Sequence, residues 1–290
     1  MNLARRYLVT IGSLTAGLCA GGEASDYLVR NQTEEYNGTV WSSANSMAVG
    51  RSEVYGCGTQ TAGLAIGGRD DSWNSLNTSE EYTGAQWSSG GTLITGRYAH
   101  AGAGTQTAGL AFTGRPNGYT ITSEEYLGST WSSGGNTLTP RHYLSGAGTQ
   151  NAGLMIAGYQ PGVGFLTSTE KYNGTAWTVS HNLNTERMEP GSCGSQDDAL
   201  AFGGKKSGPT LITTGTTEEY DGTSWDTASA ELNTPRMGCG GAGTKTSALS
   251  IGGIGASGFS AVTEEYTTPK PEPSGIPNFT SLSMQAMNLT

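Results

Sequence analysis

Between Arg97 and Trp131, small and apolar positions come in short bursts that turn signals cut off. Leu110 and Phe112 alternate with Gly109 and Ala111, the period of two expected of a strand that buries one face. Arg97 is expected to open a preceding strand of small residues, with Gly104, Thr105 and Gln106 turning the chain between the two. Gly114 breaks the second strand, and residues 123–126 form the expected third. Gly128, two residues after Tyr126, marks a hairpin turn, and Trp131 opens a fourth strand that ends near Leu138.

This unit recurs along the chain. Arg stands at 5, 51, 97, 141, 187 and 236, at spacings of 46, 46, 44, 46 and 49. Each Arg is followed seven residues later by Gly, thirteen later by Leu and seventeen later by Gly again. Tyr follows at 36, 82, 126, 172, 220 and 266, and Trp stands five residues past each of the first five. Four short antiparallel strands repeated at about 46 residues predict an all-β, six-bladed β-propeller over residues 1–268, one blade opening near each Arg. The repeat also overrules a signal-peptide reading of residues 1–22, because Arg5, Gly12, Leu18 and Gly22 hold the blade register.

Composition sharpens this picture. Gly supplies 46 of 290 residues, about twice the usual share. Six Trp and thirteen Tyr are too many for a solvated low-complexity tail. The Gly columns account for the excess as turns and close packing, and small residues such as Gly102, Ala103, Gly146, Ala147, Gly241 and Ala242 suit a crowded channel. No apolar run reaches the ~20 residues of a membrane span. The net charge of −9 argues against nucleic acid, which needs a basic face.

The order of an apolar strand, Gly-Gly, a Glu-Glu-Tyr strand, Trp and Arg, clear in residues 64–87, resembles the kelch repeat. The resemblance runs from about residue 5 to 266, with Thr113-Gly114 and Ala157-Gly158 in place of Gly-Gly. The dialect G-T-Q-T-A-G-L-A with T-x-E-E-Y-x-G-T-x-W is similar to kelch-like proteins of marine tailed phages. That second resemblance implies a non-enzymatic virion component, a capsid decoration or a tail and adsorption protein. Such a protein would be present in multiple symmetric copies, assembled in the host cytoplasm, against other virion proteins and a host-surface glycan or protein. The alternatives are a free-standing glycan- or protein-binding propeller, or a carbohydrate-active or oxidative enzyme.

The columns also carry chemistry. Glu34, Glu80, Glu124, Glu170, Glu218 and Glu264, two residues before each Tyr, are expected to pair with the Arg column as an ion pair or backbone clamp. The Tyr and Trp columns are expected to pack neighbouring blades together. Only the segment from the second Gly to Tyr varies, at 14, 14, 12, 14, 16 and 13 residues, and these loops emerge on one face. That face is the expected binding site, with Asp70, Asp71, Trp73, Arg115, Tyr119, Tyr159, Phe165, Lys205 and Lys206 as its candidates.

No catalytic residue is expected, because His100, His142 and His181 fall in different columns of different blades. No metal or other cofactor is expected either. Cys19, Cys57, Cys193 and Cys239 lack zinc spacing, and Asp70-Asp71 and Asp197-Asp198 lack a calcium loop. Beyond Tyr266, Pro269, Pro271, Pro273 and Pro277 make residues 269–290 a stiff linker and an uncharged tail. Phe279, Leu282, Met284, Met287 and Leu289 either close the sixth blade as its missing strand or dock on a partner by strand addition.

Overall fold

The computed structural model describes residues 1–116, 118–208 and 212–268, and every regular element within them is a strand. Val9–Ser13, Ala16–Ala20, Thr33–Tyr36 and Trp41–Ala44 form an antiparallel meander. The same order recurs in Tyr55–Thr59, Ala62–Ile66, Thr78–Tyr82 and Trp87–Thr92, then in Ala101–Gly104, Gly109–Phe112, Ser123–Tyr126 and Trp131–Ser133. It continues in Ser145–Thr149, Ala152–Ile156, Thr169–Tyr172 and Trp177–Val179, and in Gly191–Gly194, Ala199–Phe202, Thr217–Tyr220 and Trp225–Thr227. Gly240–Thr244, Ser247–Ile251 and Thr263–Thr267 make a last sheet of three. Below, these are the first to sixth sheets, each with its inner strand named first. The candidates for a closing strand, Phe279, Leu282, Met284, Met287 and Leu289, lie outside the described residues.

Local chemistry fixes the strand boundaries. Gly104 turns the inner strand at a φ of 114°, and the amide of Thr105 closes the turn on the Ala108 carbonyl at 3.0 Å. Two boundaries differ from the sequence expectation. Arg97 does not open the inner strand: Ala99 takes a φ of 50°, which breaks extended geometry, and the strand starts at Ala101. The fourth strand ends at Ser133, well short of Leu138, as the chain leaves the sheet toward the next Arg.

The core lies between sheets, because a single sheet cannot cover its own apolar face. Leu18, Leu64, Leu110, Leu154, Leu200 and Leu249 are all buried. Leu110 and Phe112 of the third sheet pack with Met155, Tyr172 and Trp177 of the fourth and with Leu144 just before it. Each such aliphatic side chain contributes roughly 1.5–3 kcal/mol through burial.

Polar groups lock the same seams. The six Arg are fully buried, and each pairs with the Glu of its own sheet, as Arg97 does with Glu124 at 2.6 Å and Arg141 with Glu170 at 3.0 Å. The guanidinium also donates to backbone: Arg97 reaches the carbonyls of Thr113 and Thr122 at 2.9 and 3.0 Å. The Glu124 carboxylate then accepts the amides of Ile94 and Thr95 at 2.7 and 3.1 Å, gathering the chain just before Arg97. Ion pair and backbone clamp are therefore one device.

The neighbouring Glu points the other way, as alternation on a strand requires. Tyr82, Tyr126 and Tyr172 donate their hydroxyls to Glu35, Glu81 and Glu125 of the preceding sheet at 2.8, 2.5 and 2.6 Å. Lys171 replaces this Glu in the fourth sheet, and Tyr220 pairs with the Ser180 hydroxyl instead at 2.6 Å. A further staple was not read from the sequence. Gln60, Gln106, Gln150 and Gln196, nine residues after their Arg, each donate to two carbonyls of the preceding sheet.

The seams follow one another around a closed circuit. The amides of Gly22, Gly68, Gly114, Gly158 and Gly204 each donate to the carbonyl of the next Arg, and Gly253 donates to Arg5 at 2.8 Å. Tyr36 reaches Glu265 at 2.9 Å and Thr10 reaches the Gly241 carbonyl at 3.2 Å, so the last sheet is joined to the first. Leu14 stands where a Gln staple would cross this seam and packs into its apolar cluster.

Candidate functional site

Two kinds of turn lie on opposite sides of the sheets. The hairpins after the inner and third strands are on one side. The variable loops after the second strands, and the chain entering each inner strand, are on the other. These loops are more ordered than drifting connections. Tyr159–Gln160 pairs with Gly164–Phe165, Lys205–Lys206 with Ile212–Thr213, and Ile254–Gly255 with Gly258–Phe259. Bridges from His142 to Tyr159 and from Met188 to Lys205 tie two of these hairpins to the residue after each Arg.

The structure separates the sequence candidates into groups. Trp73 sits at a φ of 63°, 60% exposed, with its ring over the Arg69 guanidinium at 3.7 Å. Asp70 builds that loop: its carboxylate accepts the amides of Ser72 and Asn74, both at 2.9 Å, and the Asn74 side chain holds its pKa below the ordinary value. Asp71 accepts the Val29 amide at 2.7 Å and so links the second loop to the first. Arg115, Tyr119, Tyr159 and Phe165 come together around His142, with Tyr119 and Tyr159 rings 5.0 and 5.3 Å from its imidazole. Lys205 and Lys206 stand apart in their own half-buried strand. Asp197 and Asp198, on the opposite side, accept Lys171 and Lys245, both at 2.6 Å.

Tyr27 was missed in the sequence. It occupies the place in the first loop that Trp73 holds in the second, five residues after the loop-opening Gly, and is 65% exposed with a φ of 61°. Phe259 meets it edge-on at 5.7 Å. The loop face thus carries aromatic side chains from successive sheets.

A second feature lies at the axis. The residues two after each Arg are Tyr7, Glu53, Ala99, Tyr143, Glu189 and Gly238, and all take left-handed φ values, from 50° to 62°. Backbone hydrogen bonds run from Tyr7 to Gly238, Gly238 to Glu189, Glu189 to Tyr143, Tyr143 to Ala99 and Ala99 to Glu53. The order Tyr-Glu-Ala, Tyr-Glu-Gly repeats every three sheets, so like groups face each other across the axis. The Tyr7 and Tyr143 rings stack at 5.9 Å.

Beneath this ring is a cavity of about 80 Å³, lined also by Tyr55, His100, Ser145 and Ser192. Tyr55 donates to the Gly146 carbonyl at 2.6 Å across the channel and also lines the second cavity beyond, of about 110 Å³ among Gly and Ala. The channel is therefore divided by a tyrosine as well as crowded by small residues. Burial pulls the His100 pKa down to about 3, and burial with Arg115 pulls His142 down to about 4, so both imidazoles are neutral at pH 7. Burial pushes the carboxyls of Glu53 and Glu189 up, the latter to about 7.

No protein-family model matches the chain, and no curated protein matches it. Among solved structures it resembles one described as "Structure of YjhT", with a TM-score of 0.75 and 12% identity, over 93% of this chain and 97% of that one. At that identity the likeness speaks to fold, and with the antiparallel sheets it supports a β-propeller of kelch-like type.

Proposed function

We propose that residues 1–268 form a six-bladed, non-enzymatic binding propeller, a component of a tailed-phage virion, that presents its loop face to a partner. Six Arg–Glu clamps and the hydrogen bond from Gly253 to Arg5 support the blade count. The observation that carries the binding reading is the division of labour between columns. The Arg, Glu, Leu, Tyr and Trp columns are engaged within or between sheets, whereas Tyr27, Trp73 and Tyr119 stand exposed on loops of one face. The virion assignment rests on the resemblance of the repeat to phage kelch-like chains.

A free-standing glycan-binding propeller is favoured by one observation, the exposed Trp73 ring held by the Arg69 guanidinium 3.7 Å from its centre. Sugars stack on such platforms through their apolar faces. A glycan array probed with the full chain tests it. Trp73→Ala is expected to weaken any bound glycan by at least about tenfold, roughly 1.4 kcal/mol, without lowering Tm. Equal binding by the variant removes Trp73 from the site, and an array without signal leaves a protein partner.

A further inference from the structure

We infer that the axial cavity is a binding site for one small primary ammonium ion, held by Glu189 and roofed by Tyr7 and Tyr143. This goes beyond the loop-face reading and does not depend on it.

The charges around the axis are arranged unevenly. Arg6 pairs with Glu23 at 2.6 Å, Glu23 with Arg69, and Arg69 with Glu53 at 2.8 Å, so two carboxylates are matched by two guanidiniums. Glu189 stands outside this chain. It is 93% buried by its 7% relative exposure, lines the cavity, and its Oε2 has no hydrogen-bond partner. Arg6 and Lys205 act on it only through space. Glu53, 4% exposed, lines the same cavity and also has an Oε2 without a hydrogen-bond partner.

The Tyr7 hydroxyl supports the Glu189 carboxyl, but a buried carboxylate without a cationic partner is still costly, and it is relieved by a proton or by a cation. The cavity suits an ammonium ion better than a divalent metal. A hard divalent ion seeks about six or more oxygen ligands, and among the described residues no group of three His, Cys, Asp or Glu converges. An ammonium ion needs three acceptors; the cavity wall holds the Glu189 carboxylate and the remaining lone pairs of the Ser145 and Ser192 hydroxyls, which bond to each other while Ser192 donates to the Gly146 carbonyl at 2.9 Å. The small volume restricts the ligand to a short alkyl stem.

Proton and ammonium compete for Glu189, which gives the test its sign. The groups facing Glu189 are Tyr7, Arg6, Glu53 and Lys205, with His100 and Tyr143 on the same wall. His100 stays neutral above about 3. Glu189 titrates near 7, so affinity rises with pH up to that value and levels off above it.

Calorimetric titration of the full chain with ethylammonium chloride, against sodium chloride at equal ionic strength, tests this. At pH 8 one equivalent binds and raises Tm. At pH 5.5 the affinity drops by at least about tenfold. Glu189→Gln binds at least 30-fold more weakly, roughly 2 kcal/mol, with no pH dependence, while Val179→Thr on the far outer strand binds as the parent does. The Tm shift of the unaltered chain at the two pH values decides the matter even if Glu189→Gln does not fold. Absence of heat and of a Tm shift with ethylammonium and methylammonium overturns the assignment. So does equal binding by Glu189→Gln, or saturable binding of calcium that excludes the amine.

Discussion

Glu124→Ala is expected to lower the unfolding free energy by about 3–5 kcal/mol, the usual result of leaving a buried charge without its partner. Arg97 has no exposed surface, and its remaining partners are the Thr122 hydroxyl and the carbonyls of Thr113 and Thr122, which carry only partial charge. The same change frees the amides of Ile94 and Thr95, so the entry to the third inner strand loosens with it. Urea denaturation measures the loss as a lower midpoint at constant slope. Arg97→Met with Glu124→Leu removes both charges, and this double variant is expected to cost less than the sum of the two single changes. A loss under 1 kcal/mol for Glu124→Ala would mean that the clamp positions the chain without stabilising it.

Gly104→Ala is expected to be comparably severe, at about 3 kcal/mol or more, for a different reason. The added Cβ would stand 2.1 Å from the Ala108 carbonyl oxygen, a backbone atom fixed by the hairpin itself. Gly128 provides the control. Its φ of 81° is also left-handed, but the nearest atom to an added Cβ is 3.8 Å away, so Gly128→Ala carries only the conformational cost of about 1–2 kcal/mol. Thermal unfolding of the two variants separates collision from dihedral strain. Equal losses would show that the hairpin opens freely.

Sameness between repeats made the scaffold legible. Arg, Gly, Leu, Glu and Tyr recur because each blade solves one packing problem, and the Arg–Glu clamp follows from two columns of opposite charge, one strand apart. The axial ring escaped notice for the opposite reason. Tyr7, Glu53, Ala99, Tyr143, Glu189 and Gly238 share a column but not a chemistry. What they have in common is a backbone conformation, and nothing in the side-chain pattern announces that. The three-blade alternation of that column was the available signal. Tyr55 escaped similarly, since a single large residue in a column of Val, Ala, Ser and Gly looks like drift until it is seen to cross the channel.

Loop chemistry was half legible. Trp73 stood out as a Trp off its column, and the structure places it exposed over Arg69. Asp70 looked equally available, yet its carboxylate caps its own turn. Local sequence cannot tell a carboxylate that builds a loop from one that the loop presents. Convergence of Arg115, Tyr119 and Tyr159 on His142, with Phe165 against Tyr159, depends on neighbouring blades lying side by side, which only the assembled ring supplies.

The proposed role stands or falls on where the protein is found. Quantitative mass spectrometry of purified phage particles, carried through a density gradient to remove lysate proteins, measures its copy number against the major capsid and tail proteins. A virion component is expected at a fixed, symmetric multiple that co-migrates with infectivity. A chain found in the lysate but absent from the particles would contradict the account.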